Sequence, residues 1–282
     1  MVILCMQELR FKVRNQWLEK NTPVVMGILN LSPDSFYKQE SSLSIDDLVH
    51  QTNKMIEEGA YIIDIGPSTS KPGSNLISVE LEYTRIKELI PVLKKLFPQT
   101  LFSIDTRRSE IAEFALDHGI EIINDISAGM FDDKMFTVCA KYDAPIILMD
   151  MPDESVTASQ PEESIKRLLL NLKKKSALAF DAGVKDVWID PGLGFGKTLD
   201  ENYQILANLS LLKVLDLPIP VGLSRKSMIY KLLEISPEQA LNGTTALHMQ
   251  ALKNGAQILR VHDVKDAVEC ITLYQKLTEQ AL

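Results

Sequence analysis

The chain has 282 residues, of which 45% are hydrophobic and 24% are charged, with 13 Gly and 13 Pro. This composition excludes a disordered or fibrous protein and supplies enough apolar side chains for a full core. Thirty Lys and Arg residues against 38 Asp and Glu residues give a formal net charge of -8, which disfavours nucleic acid as a partner.

The length is compatible with two domains of ~150 residues or with one α/β barrel of ~250 residues. The three cysteines, Cys5, Cys139 and Cys270, are far apart and show no metal-ligand spacing, which indicates reduced thiols in a cytosol. The apolar opening MVILCM is short and no basic segment precedes it, so we do not expect a signal peptide. No apolar run is long enough to span a membrane. We therefore expect a soluble, cytoplasmic protein with no membrane partner.

Residues 8–19 alternate apolar and polar side chains, which predicts a short β-hairpin in an N-terminal cap segment, residues 1–22. The chain then continues with short, mostly continuous apolar runs, which are typical of strands covered on both faces. Eight such strands are predicted, at 24–30, 61–66, 101–105, 120–126, 144–151, 187–192, 218–224 and 256–263.

Amphipathic stretches lie between these strands, with apolar residues at helical spacing. They cover 45–59, 79–97, 109–119, 200–215, 237–255 and 264–277. Gly59 and Gly119 stand where a helix should end. Strands that alternate with helices predict a parallel α/β sheet, and eight such units favour a closed (β/α)8, or TIM, barrel over an open doubly wound sheet. Because no Gly/Ser/Pro-rich linker interrupts the alternation, we predict a single domain over residues 1–282.

Polar side chains follow most of the predicted strands, and in such a barrel the chemistry lies at the C-terminal ends of the strands. These strand-end residues are Asn30, Asp64, Asp105, Asn124, Asp125, Asp150, Asp190, Arg260, His262 and Asp263, with Ser224 to Ser227 after the seventh strand. One strand-end Asp alone is most simply a cap of the next helix. Several carboxylates and amides that converge beside Lys226, Arg260 and His262 would be costly to desolvate without a polar ligand.

The residue types at this mouth suit a flat heterocycle with many N–H donors and one carbonyl, such as a pterin or a purine-like ring. Lys226, Arg260 and His262, with Ser70 and Lys71 in a loop, supply the positive charge that a phosphate or pyrophosphate needs. A structural ion pair is the alternative role of Lys226 and Arg260. No cluster of His, Asp or Glu has transition-metal spacing, so we expect any metal to be Mg2+ that arrives with a phosphorylated substrate.

The segment GLGFGKT at 192–198 looks like a phosphate-binding loop, but Pro191 stands where a Walker A motif needs Gly. We interpret it as a strand end that enters a tight turn. Two long loops, 31–44 and 67–78, follow the first two barrel strands, and loops of such length are usually functional lids or disordered tips. Their polar and aromatic residues would either close over a substrate or act as solvated spacers.

The chain resembles the dihydropteroate synthase family from residue 24 to about 280, in the segments MGILNLSPDSF, IDIGPSTSKPG, SIDTRR, INDIS, IDPGLGFGKT, VGLSRKS and RVHDV. The resemblance implies a (β/α)8 barrel that joins 6-hydroxymethyl-7,8-dihydropterin diphosphate to 4-aminobenzoate, releasing pyrophosphate and giving 7,8-dihydropteroate for folate synthesis. It also implies a homodimer and a dissociative reaction. In that reaction the pyrophosphate leaves, the enzyme stabilises a pterin cation, and the aniline nitrogen attacks.

The resemblance also assigns the site residues. The pterin set is Asp105, Asn124, Asp190 and Lys226, with a pocket formed by Ile126, Met149, Phe195 and Gly222. The pyrophosphate set is Asn30, Ser70, Arg260 and His262, and Asn30 is also the expected Mg2+ ligand. The 4-aminobenzoate set is Phe36, Lys71, Pro72 and Ser227. Asp34 in the first loop joins Asp105, Asp190 and Lys226 as a catalytic residue, and Asp105 is placed to stabilise the cation.

Two departures from the family pattern are visible. Lys71 replaces the Arg that usually precedes the Pro of the second loop, which keeps the charge but loses the bidentate fork. Residues Asp150, Asp153 and Glu154 lie in a segment that is usually basic, which predicts an acidic rim and altered pyrophosphate binding. One hypothesis is an active enzyme with altered handling of 4-aminobenzoate or its sulfonamide analogues.

Two other functions stay open. The departures are compatible with a catalytically silent paralogue that only binds pterin, although the other assigned site residues are retained. A pterin-dependent methyltransferase of the corrinoid type ranks lower, because it gives no reason for Ser224 to Ser227 or for the segment 70–73.

Overall fold

A computed structural model describes residues 9–13, 16–31, 44–68, 77–151 and 161–280. The predicted N-terminal hairpin is confirmed, with β1 (Leu9–Val13) and β2 (Gln16–Lys20) paired antiparallel. Alternate residues of β1 are buried because one face of the hairpin covers the N-terminal end of the barrel. On that face Phe11 packs edge-on against Trp188 of the barrel, with 4.9 Å between the ring centroids. The hairpin therefore plugs the end of the barrel opposite to the predicted site.

Eight parallel strands form the predicted barrel sheet. They are β3 (Val24–Asn30), β4 (Ile62–Gly66), β5 (Leu101–Asp105), β6 (Ile122–Asp125), β7 (Ile146–Met149), β8 (Val187–Asp190), β9 (Pro220–Val221) and β10 (Ile258–Val261). The hydrogen-bonded order is β8, β7, β6, β5, β4, β3, β10 and β9. A hydrogen bond of 2.9 Å from Ile189 N to Pro218 O bridges the gap between β8 and the entry to β9. The TIM-barrel prediction is thereby confirmed.

Helices occupy the connections between the barrel strands. They are α1 (Ile45–Glu57), α2 (Val79–Ile86), α3 (Leu89–Leu96), α4 (Ser109–Asp117), α5 (Met135–Lys141), α6 (Pro161–Asp181), α7 (Leu199–Ala207), α8 (Ser227–Tyr230), α9 (Leu241–Lys253) and α10 (Val264–Glu279). Short 3-10 helices cover Leu209–Leu215 and Pro237–Ala240. Capping boxes start α1 at Ser44 and α7 at Thr198. In the described ranges no helix is long and apolar enough to cross a membrane.

The predicted stretch 79–97 divides into α2 and α3, with the break at Lys87 and Glu88. Pro91 explains the break, because it has no N–H for the carbonyl of Lys87 and is tolerated only in the first turn of a helix. The predicted ends at Gly59 and Gly119 are confirmed, since both glycines follow a helix with positive φ, 101° and 91°.

The lumen of the barrel changes from apolar to polar along its axis. Every second side chain of a strand points into the lumen, because successive residues point to opposite faces. At the N-terminal end, the inward residues form a buried cluster with the hairpin, namely Met26, Ile62, Ile122, Ile147, Trp188 and Ile258. Two residues further along four of these strands come Asp64, Asn124, Asp190 and Arg260. The alternation of the strands therefore gathers polar side chains at the C-terminal mouth.

Candidate active site

A buried polar network occupies the C-terminal mouth and is centred on Arg260. Its Nε donates to Oδ2 of Asp64 at 2.6 Å, and its Nη2 donates to Oδ2 of Asp105 at 2.8 Å. Asp64 also accepts hydrogen bonds from Nδ2 of Asn124 at 3.1 Å and from the hydroxyl of Ser103. Asp64 is fully buried and Asp105 is 5% exposed. One guanidinium group therefore compensates two buried carboxylates from neighbouring strands.

Burial and the neighbouring charges change the pKa of Asp105 and of Arg260. Burial raises the pKa of Asp105 above its usual value, and the positive charge of Arg260 opposes this rise. Burial alone would lower the pKa of Arg260, but the charges of Asp64 and Asp105 raise it, so the guanidinium keeps its proton. With both carboxylates ionised, the network carries one negative charge in excess. Such a site favours a ligand on which positive charge develops.

Asp190 and Lys226 form another part of the mouth. Oδ1 of Asp190 accepts from Gly192 N at 2.7 Å, and Nζ of Lys226 donates to Leu193 O at 2.6 Å. The same Nζ lies 4.3 Å from the ring centroid of Phe195. Burial raises the pKa of Asp190, against the opposing charge of Lys226. Burial lowers the pKa of Lys226 to about 7, although the charge of Asp190 favours its protonated form. Lys226 is thus able to gain or lose its proton near neutral pH.

An apolar surface adjoins these polar groups. Ile126, Met149 and Phe195 pack together as a small buried cluster of their own. A Cβ built on Gly222 would lie 3.8 Å from both Cβ of Arg260 and Nζ of Lys226, so the absent side chain leaves the space between these two residues open. The residues assigned to the pterin pocket therefore come together in the fold, with polar groups beside an apolar patch suited to a ring face.

The segment GLGFGKT forms the predicted tight turn. Gly192 has a φ of 65°, and a Cβ on it would lie 2.1 Å from Asp150 O, so only glycine fits there. Lys197 points into the protein, where its Nζ donates to Asp150 O at 2.7 Å and to Gly192 O at 3.0 Å. The lysine therefore holds the turn together, and it does not face the mouth as a phosphate-loop lysine would.

The expectation of an acidic rim is wrong at Asp150. This side chain is fully buried, and Oδ2 lies 3.2 Å from Nζ of Lys197, which is also fully buried. Asn171 of α6 donates to its Oδ1 at 3.3 Å. The physical reason is strand alternation, because Met149 joins the apolar cluster of the mouth and the next residue must point the other way. Asp153 and Glu154 lie outside the described residues.

Two other strand-end carboxylates also have structural roles. Asp125 accepts from Ser127 N at 2.8 Å and from Gly129 N at 2.7 Å, and so stabilises the turn after β6. Asp263 pairs with Arg225 through both of its oxygens. Capping, which is the simpler interpretation of a strand-end Asp, is therefore correct for Asp125. Asp263 instead forms an ion pair and makes no side-chain cap hydrogen bond to α10.

The remaining assigned residues lie at the rim or outside the described ranges. Asn30 ends β3, and its Oδ1 lies 3.2 Å from the position of a Cβ on Gly66 of the next strand. Nδ1 of His262 is 3.2 Å from the hydroxyl of Ser224. Ser227 begins α8 directly after Lys226. Asp34, Phe36, Ser70, Lys71 and Pro72 belong to segments that the structure does not describe.

Four residues of the site were missing from the sequence assignment. Asp64 was recognised as a strand-end residue, but only the structure shows that it joins Asn124 to Arg260. Ser103 lies two residues before Asp105 on the same strand, so its side chain also points into the lumen. This spacing could have identified it from the sequence. Ser224 and Arg225 were recognised as part of the segment after the seventh strand, but only the structure shows that they hold the turn around Lys226.

No group of three or more His, Cys, Asp or Glu side chains within the described ranges could hold a metal ion. The assigned Mg2+ ligand, Asn30, offers one amide oxygen at the edge of the mouth.

Comparison with known proteins identifies the family. The pterin binding enzyme family matches residues 26–262. The dihydropteroate synthase of Streptococcus pyogenes is 37% identical over 257 residues, which cover 90% of this chain and 95% of that protein. The solved structures include dihydropteroate synthase from Xanthomonas albilineans with 4-aminobenzoic acid, at a TM-score of 0.89 and 32% identity, covering 98% of this chain and 100% of that one.

Dihydropteroate synthase from Coxiella burnetii in complex with pteroic acid also matches at a TM-score of 0.89 and 32% identity, covering 97% of this chain and all of that one. These relatives are synthases, which favours the synthase over the methyltransferase alternative. The family match, the sequence identity and the shared barrel lead to the same conclusion, which is that this chain belongs to the dihydropteroate synthase family of pterin-binding enzymes.

Proposed function

We propose that this enzyme condenses 6-hydroxymethyl-7,8-dihydropterin diphosphate with 4-aminobenzoate to give 7,8-dihydropteroate and pyrophosphate, as a transferase of folate synthesis. The observation that carries the proposal is the buried network of Asp64, Asp105, Asn124 and Arg260 beside an apolar cluster at the barrel mouth. Relatives named dihydropteroate synthase support the same activity, and one of them was solved with 4-aminobenzoic acid.

The pterin ring fits this mouth through its edges and its faces. Asp105, Asn124 and Asp190 offer oxygen acceptors for the ring N–H groups, and Lys226 offers a donor for the ring carbonyl. Ile126, Met149 and Phe195 form an apolar surface for a ring face, and Gly222 leaves room for it. The carboxylates are held by protein donors before any ligand arrives, so little reorganisation is needed on binding.

The reaction is a substitution at the methylene carbon of the pterin. The bond from this carbon to the diphosphate oxygen breaks, and its electron pair leaves with the pyrophosphate. Positive charge is left on the pterin, where Asp105 and the excess negative charge of its network stabilise it. The aniline nitrogen of 4-aminobenzoate then forms the new C–N bond and loses a proton. Asp105, Asp190 and Lys226 are the proposed catalytic residues, and Asp34 joins them from the resemblance.

The diphosphate requires positive charge and hydrogen-bond donors at the rim. Arg260 and His262 lie on or directly after β10, and a guanidinium has more N–H groups than the two bonds to Asp64 and Asp105 use. Arg260 can therefore bind a phosphate oxygen without leaving the carboxylates. Asn30 and Ser70 complete the proposed pyrophosphate set.

Mg2+ is the proposed metal, and Asn30 would be its protein ligand. Mg2+ usually keeps several waters and binds through one or two protein oxygens together with substrate phosphates, so a single amide oxygen beside the diphosphate fits it. When bound, the ion would neutralise charge on the leaving pyrophosphate. For 4-aminobenzoate we propose Ser227 at the start of α8, with Phe36, Lys71 and Pro72 from the two loops.

The chain is proposed to act in the cytoplasm as one domain over residues 1–282 and as a homodimer. Leu273 and Leu277 lie one turn apart on α10 and are 62% and 64% exposed, so they give a second copy an apolar strip to cover. Light scattering on the parent and on Leu273→Asp with Leu277→Asp tests the dimer, and a parent that is monomeric would contradict it.

The decisive experiment measures pyrophosphate release from the pterin diphosphate with Mg2+, with and without 4-aminobenzoate. We expect release that depends on 4-aminobenzoate and falls roughly 10²-fold to 10³-fold in Asp105→Asn and in Lys226→Ala. Asp125→Asn is the matched control, because this neighbouring carboxylate is also buried but accepts its backbone hydrogen bonds from the turn after β6. Pterin binding by calorimetry without any release would favour the silent pterin-binding paralogue.

A further inference from the structure

Arg225 adopts an unusual backbone conformation at the centre of the Ser224 to Ser227 turn. Its φ is 53°, in the left-handed region that residues other than glycine rarely occupy. Such a conformation costs free energy, and it persists only where the surrounding contacts impose it. The conformation matters here because the next residue is Lys226.

The contacts that impose it come from three parts of the chain. The guanidinium binds Asp263 with both arms, from Nε to Oδ2 at 2.8 Å and from Nη2 to Oδ1 at 2.9 Å. Its Nη1 donates to Pro237 O at 3.2 Å and to Glu238 O at 2.5 Å. Its backbone N donates to the hydroxyl of Thr244 at 3.0 Å. These bonds fasten the turn after β9 to the start of α10, to the 3-10 helix before α9, and to α9 itself.

This turn presents two of the assigned substrate-binding residues and contacts a third. Lys226 follows Arg225 in an extended conformation and reaches Leu193 O and the face of Phe195. Ser227 comes next and begins α8. On the other side of Arg225, the hydroxyl of Ser224 contacts the ring of His262. A change in the turn would therefore displace groups assigned to the pterin, the 4-aminobenzoate and the diphosphate at the same time.

We propose that Arg225, held by Asp263, is a positioning residue that sets Lys226 and Ser227 for the two substrates. The proposal rests on the proposed function of the site. Arg225 acts through its neighbours, because its guanidinium binds Asp263 through Nε and Nη2 and the other described bonds of its side chain go to protein carbonyls. A displacement of reacting groups by about 1 Å can cost roughly 10²-fold in rate, so such a residue affects catalysis without touching substrate.

The experiment compares Arg225→Ala with Arg225→Gly. Both variants remove the whole side chain and the pair with Asp263, but only glycine adopts a positive φ without strain. We expect kcat/KM for 4-aminobenzoate to fall about 10²-fold in Arg225→Ala and only about tenfold in Arg225→Gly. Calorimetric affinity for the pterin diphosphate should follow the same order. Arg225→Lys, which keeps the charge but loses the fork, should also fall below the parent.

The matched control is Lys94→Ala, because Lys94 and Glu121 form a similarly buried ion pair at the opposite end of the barrel. These side chains are 12% and 2% exposed, against 14% and 22% for Arg225 and Asp263. We expect Lys94→Ala to lower Tm and leave kcat/KM unchanged. If Arg225→Ala does not fold, Asp263→Asn gives the same test, since it weakens the pair without changing the turn residue.

Parent values of kcat/KM in both variants would overturn the proposal and leave Arg225 a role in stability alone. Equal losses in both would also overturn it, because the backbone conformation at residue 225 would then have no effect on the site. A parent enzyme without turnover would contradict the proposed function instead. In that case the order of pterin affinities, with the parent tightest and Arg225→Ala weakest, still decides whether Arg225 positions the site.

Discussion

Arg260 and Asp105 form an ion pair of 2.8 Å across the barrel mouth, although 155 positions separate them along the chain. The same guanidinium binds Asp64 at 2.6 Å. The pair joins a residue assigned to the pyrophosphate with one assigned to the pterin cation. In the proposed reaction, the charge that would stabilise the cation and the charge that would hold the leaving group therefore belong to one connected network.

Replacement of Arg260 by Met should destabilise the protein strongly, because Asp64 and Asp105 would stay buried without their cation. We expect a loss of ~3–5 kcal/mol in the free energy of unfolding at pH 8, measured by urea denaturation. Arg10→Met, which breaks the exposed pair of Arg10 and Glu19, is the control and should cost at most ~1 kcal/mol.

The loss in Arg260→Met should depend on pH. Without the cation, burial raises the folded-state pKa of Asp105 still further above the unfolded value of ~3.9, because the charge of Arg260 no longer opposes the rise. The full loss in the free energy of unfolding is then expected above the raised pKa, and the loss becomes smaller as the pH falls through this pKa. The deficit should therefore be smaller at pH 5 than at pH 8, and a deficit that is equal at both would contradict this account.

Pterin affinity should weaken as the pH rises through about 7, the pKa to which burial lowers Lys226. A ring carbonyl that accepts from the protonated amine raises the pKa of the amine, so binding is tightest where Lys226 is already protonated. If binding raises the pKa of Lys226 by one unit, the affinity for the pterin falls roughly tenfold between pH 6 and pH 9. Calorimetry across this range measures it, and this decrease should be absent in Lys226→Arg because arginine stays protonated.

Asp150→Asn should affect stability and leave diphosphate binding unchanged. The substitution leaves Lys197 buried without a charged partner, for which we expect a loss of ~3–5 kcal/mol. Affinity for the pterin diphosphate should stay within about twofold of the parent, since 1.4 kcal/mol would already be tenfold. Asp143→Asn, in an exposed pair with Lys185, is the stability control. A clear gain in diphosphate affinity would restore the acidic-rim interpretation.

Gly192→Ala should be much more harmful than Gly183→Ala, although both glycines have positive φ, 65° and 94°. A Cβ on Gly183 meets Ala140 at an ordinary 3.5 Å, so only the backbone strain of ~1–2 kcal/mol is expected. A Cβ on Gly192 would lie 2.1 Å from Asp150 O, so the turn must move and Asp190 loses the N–H of Gly192. Thermal unfolding and pterin binding should both show the difference, and similar Tm losses would contradict it.

The barrel and most of its site were predictable because local patterns encode them. Buried parallel strands require continuous apolar runs, so all eight strands were found, and the polar residues at their ends marked the mouth. Pro91 divided one predicted helix into two, because proline has no backbone N–H to continue the helical hydrogen bonds.

Which polar residues join the network at the barrel mouth was decided only by the tertiary structure. Asn124 and Asp125 are neighbours of similar polarity, yet only the inward one joins Asp64 in the network, while the other supports a turn. Asp150 and Lys197 likewise looked like rim and phosphate-loop residues and instead neutralise each other in the interior. Local sequence carries the type of each side chain, whereas its partners come from strands and turns far away in the chain. The pairing of Arg225 with Asp263 and of Arg260 with Asp105 therefore emerges only when the barrel closes.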